Sequence, residues 1–180
     1  MFLLRMLTRS RTRSMDPLQV SMTGVRMGER FLQIGCHDRA LLSGLAAKVG
    51  LSGTAAVAAF SDEEARRAGG VGAKIGALIE THRIEGGPLP FDSDQFDMVV
   101  VDDTNGHFAS IAGEARLEYL REARRAVRHG GRMEVIEAAG PARPAGYDVM
   151  RDLAAAGFKP VRELAERDGF RFVEGLRAET

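Results

Sequence analysis

The chain lacks the residues that would tie it to a disulfide framework, a membrane or a nucleic acid. Its 180 residues include one cysteine, so no disulfide forms within the chain, and a reducing cytoplasm is the expected setting. No apolar run approaches the roughly 20 residues that cross a bilayer. The formal net charge is +0, which removes the overall electrostatic reason to expect nucleic acid as a partner.

The composition nevertheless supports a folded core. Hydrophobic residues make up 44% of the chain and charged residues 28%, which is typical of a globular domain. The length fits a single domain. We predict that this domain spans residues 30–180 and that residues 1–29 form a basic N-terminal segment and connector.

The first fifteen residues, MFLLRMLTRSRTRSM, contain four arginines and no acid. This pattern is compatible with an arginine-rich targeting segment. It is also compatible with a basic arm that contacts membrane phosphate or nucleic acid. A third interpretation is a loosely held chain start, or a loosely packed helix ahead of the domain.

One stretch organises the predicted fold. An apolar strand, Phe31–Ile34, leads through the turn Gly35-Cys36-His37-Asp38 into an amphipathic helix from about Ala40 to Val49. Such a turn gathers backbone N–H groups at the positive end of a helix dipole, which favours an anionic group. This strand–turn–helix unit is typical of nucleotide-binding α/β folds.

Strands and helices alternate downstream. A helix that begins after Ser61 is expected to be short or broken, because Gly69, Gly70 and Gly72 are poor helix residues, with another turn or two over residues 73–80. The other predicted elements are strands at Thr54–Phe60, Thr81–Glu85, Phe96–Val101 and Met133–Ile136, helices at Glu114–Arg128 and Asp148–Ala156, and a hairpin of Phe158–Leu164 with Gly169–Leu176. The alternation predicts a parallel sheet with helices on both faces, closed by an antiparallel hairpin.

Three polar residues near the end of the valine-rich strand are candidates for catalysis. Asp102 and Asp103 end that strand, and ligands of open α/β sheets bind outside the carboxyl ends of the strands. Either carboxylate could act as a base, and His107 could act as a general base near neutral pH. The alternatives are a solvated loop, a helix cap formed by Asp103 and a surface histidine.

The sequence predicts no metal site. Cys36 and His37 are adjacent, but zinc needs about four suitably spaced ligands, and the other histidines form no motif with this pair.

Four segments in this order resemble class I S-adenosylmethionine-dependent methyltransferases, particularly the small-molecule branch related to ubiquinone and menaquinone biosynthesis. They are the strand and turn around Gly35-Cys36, Leu89–Asp103, Tyr119–Glu137 and Ala155–Leu176. The resemblance implies a Rossmann-like three-layer fold with a seven-stranded, mostly parallel sheet and an antiparallel terminal strand. It also implies S-adenosyl-L-methionine as the cofactor and a small-molecule methyl acceptor.

The resemblance assigns the cofactor's methionine portion to the first turn, at Gly35, Cys36, His37 and Asp38. Here the family pattern is altered. Gln33 stands where the strand usually carries an acid, and His37 and Arg39 stand where glycines are usual.

The remaining cofactor contacts implied by the resemblance lie further along the chain. Ala59 stands where the family carries the acid that holds the ribose hydroxyls, and Asp62 is the nearest replacement. Glu85 and Gly86 correspond to the adenine contact. Asp102 is a candidate contact for the cofactor's amino group.

Two functions follow from this pattern. The first is methyl transfer to a small-molecule acceptor. The second is a catalytically inactive methyltransferase-like protein that acts as an interaction or regulatory module, as a homo-oligomer or with a protein partner. A weaker third possibility is a site reshaped for another nucleotide-like ligand.

Overall fold

The chain folds around one sheet. The computed structural model describes residues 17–140 and 143–179. The strands are β1 Arg30–Ile34, β2 Thr54–Ala59, β3 Ile79–Arg83, β4 Phe96–Asp103, β5 Val127–Ala138, β6 Val161–Arg167 and β7 Phe170–Leu176. The helices are α1 Pro17–Met22, α2 Arg39–Val49, α3 Asp62–Ile75, α4 His107–Ser110, α5 Gly113–Ala126 and α6 Val149–Ala155.

The sheet topology confirms the predicted fold class. The seven strands lie in the order β3-β2-β1-β4-β5-β7-β6. The pairs from β3 to β5 are parallel, whereas β7 runs antiparallel to both β5 and β6. Buried apolar residues form one cluster on each face of the sheet, so helices cover both sides. The result is a Rossmann-like three-layer α/β fold.

The N-terminal prediction is only partly testable. The arginine-rich stretch lies outside the described residues. The segment before Thr23, which we predicted as a connector, instead forms helix α1. This short helix packs against the domain: Val20 is 8% exposed and joins the apolar cluster that contains Phe31 and Leu42.

Helix α3 also corrects the sequence-based prediction. It is one continuous helix that begins after the N-cap Ser61, whose side chain accepts from Glu64 N, and it ends at Gly76 in the left-handed conformation. Of the extra turns predicted over residues 73–80, only residues 73–75 are helical, as the end of α3, and β3 begins two residues earlier than predicted. Gly69 and Gly70 are exposed, so the helix loses no buried contact at these two positions. Gly72 is required by packing, because a Cβ atom there would lie 2.8 Å from the Ala77 carbonyl oxygen.

The fifth strand is longer than predicted. It begins at Val127 rather than Met133, because Gly130, at φ +70°, and Gly131 carry the backbone through an irregular register instead of ending the element. A Cβ atom on Gly131 would lie 2.8 Å from the carbonyl oxygens of Arg128 and Asp97. Only glycine fits this close approach.

The predicted terminal hairpin is confirmed, with shifted bounds. Asp168 and Gly169 form a two-residue turn with φ values of +55° and +84°, as an Asp-Gly hairpin requires. The first strand of the hairpin begins at Val161 instead of Phe158, because the Phe158 side chain is buried in the core rather than paired in the sheet. Helix α4, directly after β4, has no counterpart in the sequence-based prediction.

Candidate functional site

The first turn sits at the carboxyl end of β1 and closely approaches β4. Gly35 has φ +77°, and a Cβ atom there would lie 3.0 Å from the Asp102 carbonyl oxygen. A side chain at this position would therefore be strained and would crowd β4. The glycine of the predicted turn is a geometric requirement of the contact between the two central strands.

The anionic group that meets the turn is the chain's own Asp102. Its Oδ2 accepts from the backbone N–H groups of His37 at 2.8 Å and Asp38 at 2.7 Å. Its Oδ1 accepts from the Thr104 hydroxyl at 2.6 Å. The predicted attraction of the turn for an anion is thus met by an internal carboxylate that is 2% exposed.

The other turn residues have structural contacts of their own. Asp38 is the N-cap of α2, accepting from Ala40 N at 2.8 Å. The Cys36 carbonyl accepts from Arg67 Nη1 at 2.5 Å. Burial, together with the carboxylates of Asp102 and Glu64, raises the pKa of the Cys36 thiol to about 12. A thiol in this state is a small buried side chain and not a nucleophile.

A cavity of ≈ 290 Å³ lies at the carboxyl ends of β2 and β3, and we call it the aromatic cavity. The Phe60 ring lies 4.9 Å from the ring of His107 in a tilted arrangement and meets that of Tyr119 edge-on at 5.6 Å. The lining also includes Ile84, Glu85, Gly86, Gly87, Ile111, Ala115 and Glu118. An apolar slot with a few polar groups at its rim suits a planar heteroaromatic ring.

Two predicted cofactor contacts are joined by one arginine. Arg83, at the end of β3, pairs with Asp62 at 3.3 Å and with Glu85 at 2.6 Å. All three side chains are substantially exposed. Asp62 is therefore an exposed side chain paired with Arg83, whereas Ala59 is 0% exposed.

A second cavity, of ≈ 200 Å³, lies at the carboxyl ends of β4 and β5, and we call it the acidic cavity. Asp103 and Glu137 are register partners there, and each is 2% exposed. Asp103 accepts from Phe108 N at 2.7 Å and from Ala109 N at 3.2 Å, which anchors α4. Burial raises the pKa of Asp103 to about 7, against the lowering effect of these N–H groups.

Glu137 is held on one side only. Its Oε2 pairs with Arg171 Nη1 at 3.1 Å and lies 3.9 Å from Arg143 Nη2. Its Oε1 is buried without a hydrogen-bond partner among the described residues. The Tyr147 hydroxyl lies close by without a hydrogen bond of good geometry, and burial together with the Glu137 carboxylate raises the pKa of this hydroxyl.

The structure separates the three candidate catalytic residues. Asp102 is directed to the first turn, Asp103 lines the acidic cavity and His107 lines the aromatic cavity. Their catalytic roles stay predictions. Sequence reasoning assigned no role to Phe60, Tyr119, Glu137 or Tyr147. Glu137 could have been found by its position alone, because it lies near the carboxyl end of the strand that neighbours the strand of Asp103.

Among the described residues, 17–140 and 143–179, no helix is long and apolar enough to cross a membrane. No group of three or more histidine, cysteine, aspartate or glutamate side chains there is placed to hold a metal ion.

Comparison with known families decides the assignment. The family model described as a methyltransferase domain matches residues 32–135, more than half of the chain. The chain belongs to this methyltransferase family. The cofactor expected from the sequence, S-adenosyl-L-methionine, is the cofactor of this family. No curated protein matches the chain by sequence.

Several solved structures share the fold. A SAM-dependent methyltransferase from Aquifex aeolicus superposes with a TM-score of 0.76 at 21% identity, covering 94% of each chain. The YcgJ protein from Bacillus subtilis gives 0.68 at 12% identity, with 91% of this chain and 97% of that chain covered. The cyclase SpnF gives 0.67 at 14% identity, with 91% and 80% covered.

The methyltransferase site fits the cofactor at its adenosyl end. The aromatic cavity offers the Phe60 ring and the backbone of Gly86 beside Glu85. A Cβ atom at Gly35 would lie 3.0 Å from the Asp102 carbonyl oxygen and 3.4 Å from the Phe60 ring, so glycine lets the turn pack closely against β4 and Phe60. Ala59, where the resemblance expects the ribose-binding acid, supplies no carboxylate, and the Asp62 carboxylate is paired with Arg83.

Proposed function

We propose that this protein transfers a methyl group from S-adenosyl-L-methionine to a small-molecule acceptor. The observation that carries the proposal is the pair of cavities on the two sides of α4, at the carboxyl edge of one sheet. His107, the first residue of α4, lines the aromatic cavity, whereas Ala109 of the same helix lines the acidic cavity. A donor site and an acceptor site separated by one helical turn suit a direct transfer between two bound molecules.

The residues around the aromatic cavity would hold the cofactor. Phe60 and Ile84 provide apolar contact for the adenine ring, with Glu85 at the rim as a hydrogen-bond acceptor. The bound cofactor supplies an electrophilic methyl group on a sulfonium. The protein's own contribution is to orient the acceptor against that group, to exclude water and to accept a proton at a buried carboxylate such as Asp103.

The test is calorimetric titration with S-adenosylhomocysteine and S-adenosylmethionine. We expect weak binding, because a missing charge-assisted hydrogen bond costs about 1.5–3 kcal/mol, or roughly tenfold to a hundredfold in affinity. The variant Ala59→Asp restores the missing carboxylate at the end of β2 and should tighten binding by about tenfold. The variant Ala59→Asn has nearly the same size without the charge and is the matched control. No heat at millimolar ligand from folded protein, in every variant, overturns the proposal.

The second candidate is an inactive methyltransferase-like module. Two observations favour it: Asp102 occupies the N–H groups of the first turn, and the ribose acid is replaced by Ala59. The similarity to the cyclase SpnF supports the same point, because one fold hosts several functions. The titration above separates the two candidates, since an inactive module binds neither ligand.

A further inference from the structure

The large apolar side chains that the described residues expose to water lie together at one edge of the sheet. Met27, Leu51 and Leu78 are 80%, 98% and 92% exposed. They lie in the loops that precede β1, β2 and β3, which are neighbouring parallel strands. Because the amino ends of parallel strands meet at one edge, the three side chains form a row, which we call the apolar edge.

Tight turns present these side chains to water. Gly50 ends α2 at φ +64° and Gly76 ends α3 at φ +67°, one and two residues before the exposed leucines. The loop before β1 is tied to the end of α2, because Gly28 N donates to the Val49 carbonyl oxygen at 2.9 Å. Short, hydrogen-bonded connections of this kind fix where the exposed side chains stand.

Exposed cations flank the apolar edge. Arg26 precedes Met27, and Lys48 and Lys74 lie in the last turns of α2 and α3, which end at this edge. The lysines offset the partial negative charge of the two helix C-termini. Acids near the edge are already paired: Glu29 with Arg132 at 3.2 Å, Asp97 with Arg30 at 3.2 Å and Glu80 with His82 at 2.6 Å. The edge therefore offers apolar groups set among positive ones.

An anionic lipid surface fits this combination. A protein binds such a surface by burying apolar side chains at the boundary of headgroups and acyl chains, and by attraction of lysine and arginine to the anionic headgroups. A protein partner fits less well. Three separate side chains expose less than the roughly 800 Å² per partner that a stable protein interface buries.

We propose that the apolar edge docks this protein on a bilayer that contains anionic lipid, with Met27, Leu51 and Leu78 inserted at the headgroup level and the flanking cations on lipid phosphate. The two cavities lie at the carboxyl edge of the sheet, opposite the apolar edge. The docked protein thus keeps both cavities open to the aqueous phase. The proposal does not depend on methyl transfer.

The experiment is co-sedimentation of the full chain with vesicles of phosphatidylcholine and phosphatidylserine in equal amounts, with vesicles of phosphatidylcholine alone as the reference. We expect binding to the mixed vesicles that falls as the salt concentration rises, and several-fold weaker binding to the neutral vesicles. Leu51→Ser and Leu78→Ser should each weaken binding by roughly tenfold. Lys48→Gln and Lys74→Gln should each weaken it by roughly fivefold.

Two variants serve as controls. Leu51→Met keeps an apolar side chain at the same position and should bind as the original protein does. Arg167→Gln removes a cation that is 72% exposed in the hairpin at the opposite edge, and it should also leave binding unchanged. Because the substituted side chains are exposed, we expect circular dichroism to show every variant folded.

Three results overturn the proposal. The first is the absence of binding to the mixed vesicles by folded protein. The second is binding that Leu51→Ser combined with Leu78→Ser does not weaken, which would assign it to another part of the chain, such as the arginine-rich first fifteen residues. The third is a dimer in analytical ultracentrifugation that Leu51→Ser dissociates, without vesicle binding, which would assign the edge to a second copy of the chain.

Discussion

The Asp102 carboxylate accepts hydrogen bonds from the backbone N–H groups of His37 and Asp38, at 2.8 and 2.7 Å. Strand β4, which carries Asp102 next to its last residue, thereby fixes the turn that follows β1. We expect Asp102→Ala to lower the free energy of unfolding by about 2–4 kcal/mol, because two partly buried N–H groups lose a charged acceptor that is itself buried. Urea unfolding at neutral pH measures this change.

The control for Asp102→Ala is Asp148→Ala. Asp148 also accepts from two backbone N–H groups, those of Met150 and Arg151, but it is exposed as the N-cap of α6. Loss of such a cap costs about 1 kcal/mol. Equal losses in the two variants would show that Asp102 is an ordinary cap rather than the buried anchor of the turn.

Glu134 should make the protein less stable as the pH rises. It is 0% exposed, neither carboxylate oxygen has a hydrogen-bond partner among the described residues, and burial together with Glu174 raises its pKa from 4.5 to about 8. Between these values the folded state binds more protons than the unfolded state, so stability falls with rising pH. The loss amounts to about 5 kcal/mol across the window.

The variant Glu134→Gln removes this dependence. It should match the original protein at pH 5 and be more stable by a few kcal/mol at pH 9, as measured by denaturant unfolding at both pH values. Glu166→Gln, at an exposed position of β6, is the control and should change neither. A variant that is destabilised to the same extent at both pH values would contradict the prediction.

Three glycines of α3 should respond differently to alanine. Gly69 and Gly70 have no atom within 4 Å of a built Cβ, so Gly69→Ala and Gly70→Ala should each stabilise the helix by about 0.5–1 kcal/mol. At Gly72 the Cβ would lie 2.8 Å from the Ala77 carbonyl oxygen, so Gly72→Ala should destabilise it by about 1–3 kcal/mol. Thermal unfolding of the three variants tests the difference in sign, and a stabilising Gly72→Ala would contradict it.

Cys36 should resist alkylation in the folded protein. A thiol with its pKa raised to about 12 is ionised in roughly one molecule in ten thousand at pH 8. Iodoacetamide should therefore modify it only when the chain unfolds, as followed by mass spectrometry with and without urea. Glutathione in the same mixture is the reference thiol, and a native rate near that of glutathione would count against the buried assignment.

The sequence alone predicted an element correctly where its signal was a repeating hydrophobic pattern or a characteristic turn residue. The apolar β1 and β4, the amphipathic α2 and the Asp168-Gly169 hairpin are readable because their periodicity and turn chemistry depend on nearby residues alone. The predicted break in α3 was wrong because glycine propensity is a weak effect, overridden here by Ser61 capping and by packing at Gly72. The start of β5 was missed because its first residue, Val127, pairs with Phe96 of β4, and this pairing joins residues that are distant in the chain.

The sequence by itself determined the fold class, through the alternation of strands and helices. Through the resemblance carried by segments such as Leu89–Asp103, it also indicated the methyltransferase family and its cofactor. Both signals depend on residues that are adjacent in the chain. Only the tertiary structure decided how the site is arranged. It directs Asp102 to the turn and pairs Asp103 with Glu137, and it places His107 on the opposite side of α4. These relationships join residues from different strands and loops, and burial and electrostatics across such distances arise only when the sheet has formed.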